Sequence, residues 1–148
     1  ERQDSCWNGL KIAETVGAKS KDLILFHNGA NPLISSKDIN EVIKAAKRYG
    51  SALIGQLARD TIKEIDNKGF ILRTIDRKKI FQAQTPQVIE YNLAKRAFEK
   101  AFRDKFYGTD DVSLVERLGK RVKIVLCSYQ NMKITTKEDL KLVKNLLK

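Results

Sequence analysis

Two cations and one stiff polar segment are the residues in this chain with chemistry to offer. Arg77 lies just before Gln84-Thr85-Pro86-Gln87, and Lys133 lies far downstream in Asn131-Met132-Lys133-Ile134-Thr135-Thr136. A guanidinium presents a planar fork of donors and an ammonium a compact point charge, and both suit a phosphate. Pro86 fixes its own φ and biases Thr85 toward an extended conformation. The segment therefore reads as a rigid polar turn, not a helix interior. If the fold brings Arg77 and Lys133 together, they make a pocket for an anion. Arg77 also has a plainer reading, as the partner of a surface acid, since such pairs are common and weak.

The rest of the composition bounds the partners. The chain has 148 residues, with 29 basic against 18 acidic side chains and a net charge of +11. That surplus suits anionic partners such as nucleotides, sugar phosphates, nucleic acid or an acidic membrane surface. Most of it reads as a solvated surface, because many lysines alternate with acids along helices. Aromatic residues are few and not interleaved with the cations, and no recognition motif appears, so nucleic acid is not expected as a partner. Cys6 and Cys127 form no CxxC pair, and the lone His27 supplies no zinc set, so no metal ligand is assigned. Both cysteines read as small hydrophobes in a reducing compartment. No apolar run approaches the ~20 residues that span a bilayer, and no signal peptide is visible. Glu1 in place of Met suggests that something upstream was removed or not included.

The elements that must position these residues follow in order. Ser5 is expected to cap a helix over about 6–16, closed by Gly17. Leu23-Ile24-Leu25-Phe26 is a short apolar run that suits a strand buried on both faces of a parallel sheet. It empties into the loop His27-Asn28-Gly29-Ala30-Asn31-Pro32, and such loops at strand carboxyl ends are where α/β sheets bind ligands. Ser35 or Ser36 caps a helix with Ile39, Val42, Ile43 and Ala46 on one face and Gly50 after its end. A second buried strand surrounds Ala52-Leu53-Ile54. Two runs flanking Asp66-Asn67-Lys68-Gly69 then predict a β-hairpin, which needs something to pack on, a second subunit being one candidate. A helix over about 88–106 follows the Pro86 turn. Thr109 caps a short helix closed by Gly119, Val122–Leu126 is a strand, and Thr135 with Glu138 forms a capping box for a last helix burying Leu140, Val143, Leu146 and Leu147. The order is α/β, and no repeat or linker divides it.

Several short stretches stand in a familiar order: ERQDS at 1–5, the 27–32 loop, Asp60-Thr61, Asp76-Arg77, QTPQ, TDD at 109–111 and NMKITTKEDL at 131–140. Together they resemble the 2-C-methyl-D-erythritol 4-phosphate cytidylyltransferase family of the non-mevalonate isoprenoid pathway, over essentially the whole chain. The resemblance implies a Rossmann-like α/β nucleotidyltransferase sheet with a protruding β-hairpin dimerisation arm at about 59–77, within one domain over 1–148. It implies transfer of a cytidylyl group from CTP to 2-C-methyl-D-erythritol 4-phosphate, with Mg²⁺ and release of pyrophosphate. Arg77 and Lys133 would hold the acceptor phosphate, with Thr61 adding a hydroxyl and the arm residues serving the partner's site across a homodimer. Asn28 would contact substrate and Ser5 would sit by the cytidine. The compartment implied is the cytoplasm, or a plastid in a plant or alga.

Two departures from the family pattern bear on activity. The family's Gly-rich loop that binds the CTP phosphates has no counterpart here, so the chain reads as the C-terminal two thirds, inactive alone. The loop that usually reads His-Asp-Ala-Ala-Arg-Pro carries Asn28, Gly29 and Asn31, which removes a carboxylate and a guanidinium. A non-catalytic dimeric phosphate-binding relative, or a cytidylyltransferase for another polyol phosphate such as ribitol 5-phosphate, are the alternatives.

Overall fold

A computed structural model describes residues 1–147. Its main sheet has four strands in the order β1-β5-β2-β6: β1 (Leu23–Phe26), β5 (Phe81–Glu90), β2 (Ser51–Leu57) and β6 (Lys123–Leu126). A separate two-stranded sheet pairs β3 (Ile62–Ile65) with β4 (Ile71–Ile75). The helices are α1 (Arg2–Thr15), α2 (Ser36–Tyr49), α3 (Tyr91–Arg103), α4 (Asp111–Arg117) and α5 (Lys137–Leu146).

Alternation along the inner strands sorts the core into two layers. Ala52 and Val88 face α2 and pack with Val42 and Ala46. Leu53 and Ile89 face the other way, into a cluster with Leu10 of α1, Phe98 of α3 and Leu114 of α4. Phe98 is fully buried, with its ring stacked 6.2 Å from Trp7 and 5.8 Å from Phe26. Burial of such a ring contributes on the order of 3 kcal/mol. The sheet thus lies between α2 on one face and α1, α3 and α4 on the other, as the α/β order of the sequence predicts.

The local signals for α2 hold. Ser35 Oγ accepts from the backbone N–H of Asp38 at 3.0 Å, and Gly50 ends the helix at φ +81°, where a side chain would be strained. The hairpin forms on its turn: Asp66 Oδ1 accepts from the N–H groups of Lys68 and Phe70, both at 2.9 Å.

Other expectations are corrected. The segment Gln84–Gln87 is not a turn but part of β5, between two neighbours, with Thr85, Pro86 and Gln87 buried. The proline fits because the β2 register jumps from Leu53↔Gln87 to Gly55↔Ala83, so Pro86 has no ladder partner to bond. Gly55 allows the crowding there, since a Cβ on it would lie 2.2 Å from the Gln82 carbonyl oxygen. β1 is an edge strand antiparallel to β5, not a doubly buried member of a parallel sheet. β1, β2 and β6 do run the same way, but β5 is inserted antiparallel between β1 and β2.

Four helix boundaries also move. α3 begins at Tyr91 because 88–90 complete β5. α1 begins at Arg2, ahead of Ser5, whose hydroxyl donates to the Glu1 carbonyl at 3.5 Å and caps nothing. Asp110, not Thr109, caps α4, and the last capping box is Thr136 with Asp139, one residue later than predicted. In α5 only Val143 is buried; Leu140, Leu146 and, just past its end, Leu147 are 42%, 50% and 68% exposed, because no neighbour among the described residues covers that face.

Candidate functional site

The loops at the carboxyl ends of β1 and β6 meet over the middle of β5. The backbone N–H of Ile134 donates to the Ala30 carbonyl at 2.8 Å, joining the loop after Phe26 to the loop that carries Lys133. His27 fixes the first loop through both ring nitrogens. Nε2 faces the Asn31 carbonyl at 3.2 Å and must carry the hydrogen, so Nδ1 accepts from Thr85 Oγ1 at 3.1 Å. Thr85 Oγ1 in turn accepts from the backbone N–H of Asn28 at 3.2 Å.

An amide ladder runs beneath. Asn28 Nδ2 donates to Asn31 Oδ1 at 3.4 Å, and Asn31 Nδ2 to the Asn131 carbonyl at 3.5 Å. Asn131, fully buried, donates from Nδ2 to Gln84 Oε1 at 3.0 Å and to the Thr85 carbonyl at 2.9 Å. Gln84 and Thr85, side by side on β5, meet this ladder through Asn131.

Two cavities adjoin here. One of about 240 Å³ is walled by Asn28 and Asn31, by Gln84, Thr85 and Gln87 of β5, by Thr109 and Asp110, and by Lys133. The other, of about 540 Å³, lies between Ser5 and Cys6 of α1 and the 27–30 loop. Arg2, Asn28 and Lys133 line both. Arg2 is already engaged: its guanidinium grips the carboxylate of Asp111, which is only 1% exposed, through two hydrogen bonds. That hydrogen bond, ahead of the cost of burial, holds the Arg2 pKa above its ordinary value. Lys133 has no carboxylate within ion-pair distance among the described residues, so its charge is available to an anion at the junction of the two cavities.

Of the residues singled out in the sequence, Asn28, Lys133 and Ser5 are brought together. Thr61 and Arg77 are not: they share a separate hollow of about 330 Å³ at the base of the hairpin, with Asp76 and Lys78. Arg77 Nη1 donates to the Arg59 carbonyl there. Within one chain Arg77 and Lys133 do not form a common pocket.

Sequence reasoning gave no role in the site to Thr109, Asp110, Gln84 or Asn131. TDD and QTPQ stood out as motifs, but only the pairing of β5 with both its neighbours brings them to one cavity. As for a cation, no cluster of three His, Cys, Asp or Glu side chains occurs among the described residues. Asp110, the carboxylate in the cavity wall, spends both oxygens on Gln87 Nε2 and the N–H of Ser113, each at 2.9 Å. A hard cation wants six or more oxygen ligands, and these residues alone do not supply them.

A three-layer α/β sheet with an unpaired cation between two loop-lined cavities at its strand ends is an architecture in which α/β proteins hold small ligands. The model of the 2-C-methyl-D-erythritol 4-phosphate cytidylyltransferase family matches residues 1–148, and the chain belongs to that family. It is 44% identical over 147 residues to the enzyme of that name from Clostridioides difficile, covering 99% of this chain and 60% of that one. It is 43% identical over 147 residues to the chloroplastic one from Oryza sativa, covering 99% and 48%. The crystal structure of 4-diphosphocytidyl-2C-methyl-D-erythritol synthase from Anaerococcus prevotii superposes with a TM-score of 0.87 at 30% identity, over 99% of this chain and 64% of that one. The chain thus spans about 60% of the length of the bacterial relative.

Proposed function

We propose that this chain is the acceptor-binding part of an enzyme that joins CTP to 2-C-methyl-D-erythritol 4-phosphate. An oxygen of the acceptor phosphate attacks the α-phosphorus of CTP. The bond from that phosphorus to the bridging oxygen breaks, and pyrophosphate leaves with the electron pair. The products are 4-diphosphocytidyl-2-C-methyl-D-erythritol and pyrophosphate. The observation that carries this reading is Lys133, unpaired at the junction of the two cavities. Two anions must approach each other for this reaction, and a fixed cation between them lowers that barrier by position and charge.

Asn28 and Thr109 supply hydrogen bonds to the polyol phosphate, and Ser5 faces the nucleotide side. Thr61 and Arg77, remote from Lys133 in their own chain, complete the site of a second copy through the hairpin in a homodimer. Mg²⁺ would neutralise the nucleotide phosphates, which supply the oxygens this chain lacks. No helix among the described residues is long and apolar enough to cross a membrane. The compartment fitting this reading is the cytoplasm, or the plastid in a photosynthetic eukaryote.

The Asn28–Asn31 amide pair favours a second reading, a relative that binds another polyol phosphate, such as ribitol 5-phosphate, or binds without turnover. One assay separates them: pyrophosphate release by the chain as its gene encodes it, with CTP, Mg²⁺ and each acceptor. The primary reading expects release with methylerythritol phosphate, reduced about 10- to 100-fold in kcat/KM by Lys133→Met, the loss of one charge-assisted contact. Release only with another acceptor, or none, refutes it.

A further inference from the structure

One aromatic contact ties the two separated halves of the phosphate machinery together. Arg59 stands two residues before Thr61, at the root of the hairpin, just after Ala58, whose N–H donates to the Ile80 carbonyl at 3.0 Å. The backbone carbonyl of Arg59 receives the guanidinium of Arg77. Its own guanidinium lies over the ring of Tyr129, 3.1 Å from the centroid. No carboxylate is within ion-pair distance of Arg59 among the described residues. The face of the Tyr129 ring is thus the partner its charge has found.

Tyr129 belongs to the loop between β6 and α5 that carries Lys133, and that loop is tied to the body at several points. The Ser128 carbonyl accepts from Gln56 Nε2 at 3.2 Å, the Ser128 N–H donates to Asp38 Oδ2 at 3.3 Å, and Asn131 is fully buried. Tyr129 itself is 52% exposed, so core packing does not explain its ring. The hairpin beyond Arg59 is far less restrained. β3 and β4 stand outside the main sheet, with Phe70, Ile71 and Leu72 each at least 60% exposed.

We propose that Tyr129 is a positioning residue. By holding Arg59 it sets the root of the hairpin, and with it Thr61 and Arg77, in fixed relation to the Lys133 loop. This rests on the function proposed above. In a homodimer that exchanges hairpins, the Arg59–Tyr129 contact is then the link from the pocket a protomer builds with Lys133 to the pocket its hairpin completes in the other copy. Loosening the contact lets the hairpin donors wander and weakens acceptor binding, while the CTP side is untouched.

The test uses the chain as its gene encodes it, with Tyr129→Ala, Tyr129→Phe, Arg59→Ala and the Ala double variant. An exposed cation–π contact is worth a factor of about two to five. The expected result is an acceptor KM raised about two- to fivefold by either Ala variant, with no further rise in the double, unchanged KM for CTP, and rescue by Tyr129→Phe. Backbone amides of 59–62 and 76–80 should exchange faster in Tyr129→Ala. Additive effects in the double variant, or a fall in kcat alone, overturn the proposal, as does unchanged exchange at the hairpin root. If the wild-type protein transfers no cytidylyl group, the functional reading fails, and the exchange measurement still decides whether Tyr129 sets the hairpin.

Discussion

Gln87 Oε1 lies 3.0 Å from the backbone nitrogen of Asp111 and accepts its hydrogen, and it accepts the N–H of Val112 at the same distance. A side chain of the central strand thus takes up two donors that α4 leaves unpaired in its first turn. Its amide nitrogen meanwhile donates to Asp110. Gln87→Leu leaves these buried groups without partners and should lower stability by on the order of 3 kcal/mol, read as a drop in denaturant midpoint. Gln87→Glu keeps the acceptor but sets a second carboxylate against Asp110. That variant should regain stability as pH falls through the carboxylate range, whereas Gln87→Leu should not.

Arg2 and Asp111 tie α1 to the same helix. Because Asp111 is buried, Arg2→Met strands a carboxylate rather than merely deleting a surface pair. We expect a loss of about 2–3 kcal/mol, less than for a fully buried pair because Arg2 is partly in water. Arg2→Met with Asp111→Asn should recover part of it. A double-mutant cycle on thermal unfolding measures the difference.

Cys6 lies on α1 one turn after Arg2, beside this pair. Burial, then the Asp111 charge, pushes its thiol from 9.0 up to about 11. The folded state therefore holds a proton that the unfolded chain releases earlier. Any stability from the neutral thiol is present below pH 9 and is lost as pH rises toward 11. Iodoacetamide at pH 8 should label Cys6 in the folded protein much more slowly than in urea, with the folded rate climbing only above pH 10 or so. Equal rates would contradict the burial.

Asp139 works in the opposite direction. Hydrogen bonds from the Thr135 N–H, the Thr135 hydroxyl and the Thr136 N–H hold its carboxyl below the ordinary 3.8. Its contribution to starting α5 is therefore complete above that value and disappears as pH falls through the lowered one. Protection of the 137–140 amides, relative to their intrinsic exchange, should fall on acidification below pH 4 or so, and Asp139→Asn should remove that pH-dependent loss of protection.

The hairpin offers a test of assembly. Phe70, Ile71 and Leu72 are exposed in a two-stranded sheet that is marginal alone. If these side chains meet a second copy, Phe70→Glu should shift sedimentation from dimer to monomer without lowering the melting temperature of the body. An unchanged sedimentation profile would place the interface elsewhere.

What was legible in the sequence was whatever neighbours along the chain decide. Ser35, Gly50 and the Asp66–Gly69 turn act within a few residues of themselves, and each fell where expected. Pro86 misled because the rule against proline in an inner strand assumes a regular ladder, and the jump in register opposite Ile54 is visible only once β2 and β5 are paired. The leucines of α5 show the same limit: a helical stripe says which side would be covered, not whether a neighbour covers it. Lys133 and Asn28 could be singled out, but Asp110 and Asn131 become site residues through contacts 23 and 46 positions away, to Gln87 and Thr85. Such contacts leave no local trace.

The separation of β3 and β4 from the main sheet has a consequence for how such a protein can change over time. Thr61 and Arg77 flank a ladder that begins with Ile62 opposite Ile75, so their spacing is set by the hairpin itself and hardly by the body. On the function proposed above, the segment carries its acceptor contacts together with the geometry that spaces them, and such a segment can be inherited as a cassette. Exchanging it between relatives would alter which acceptor is handled while leaving the core sequence free to drift on its own.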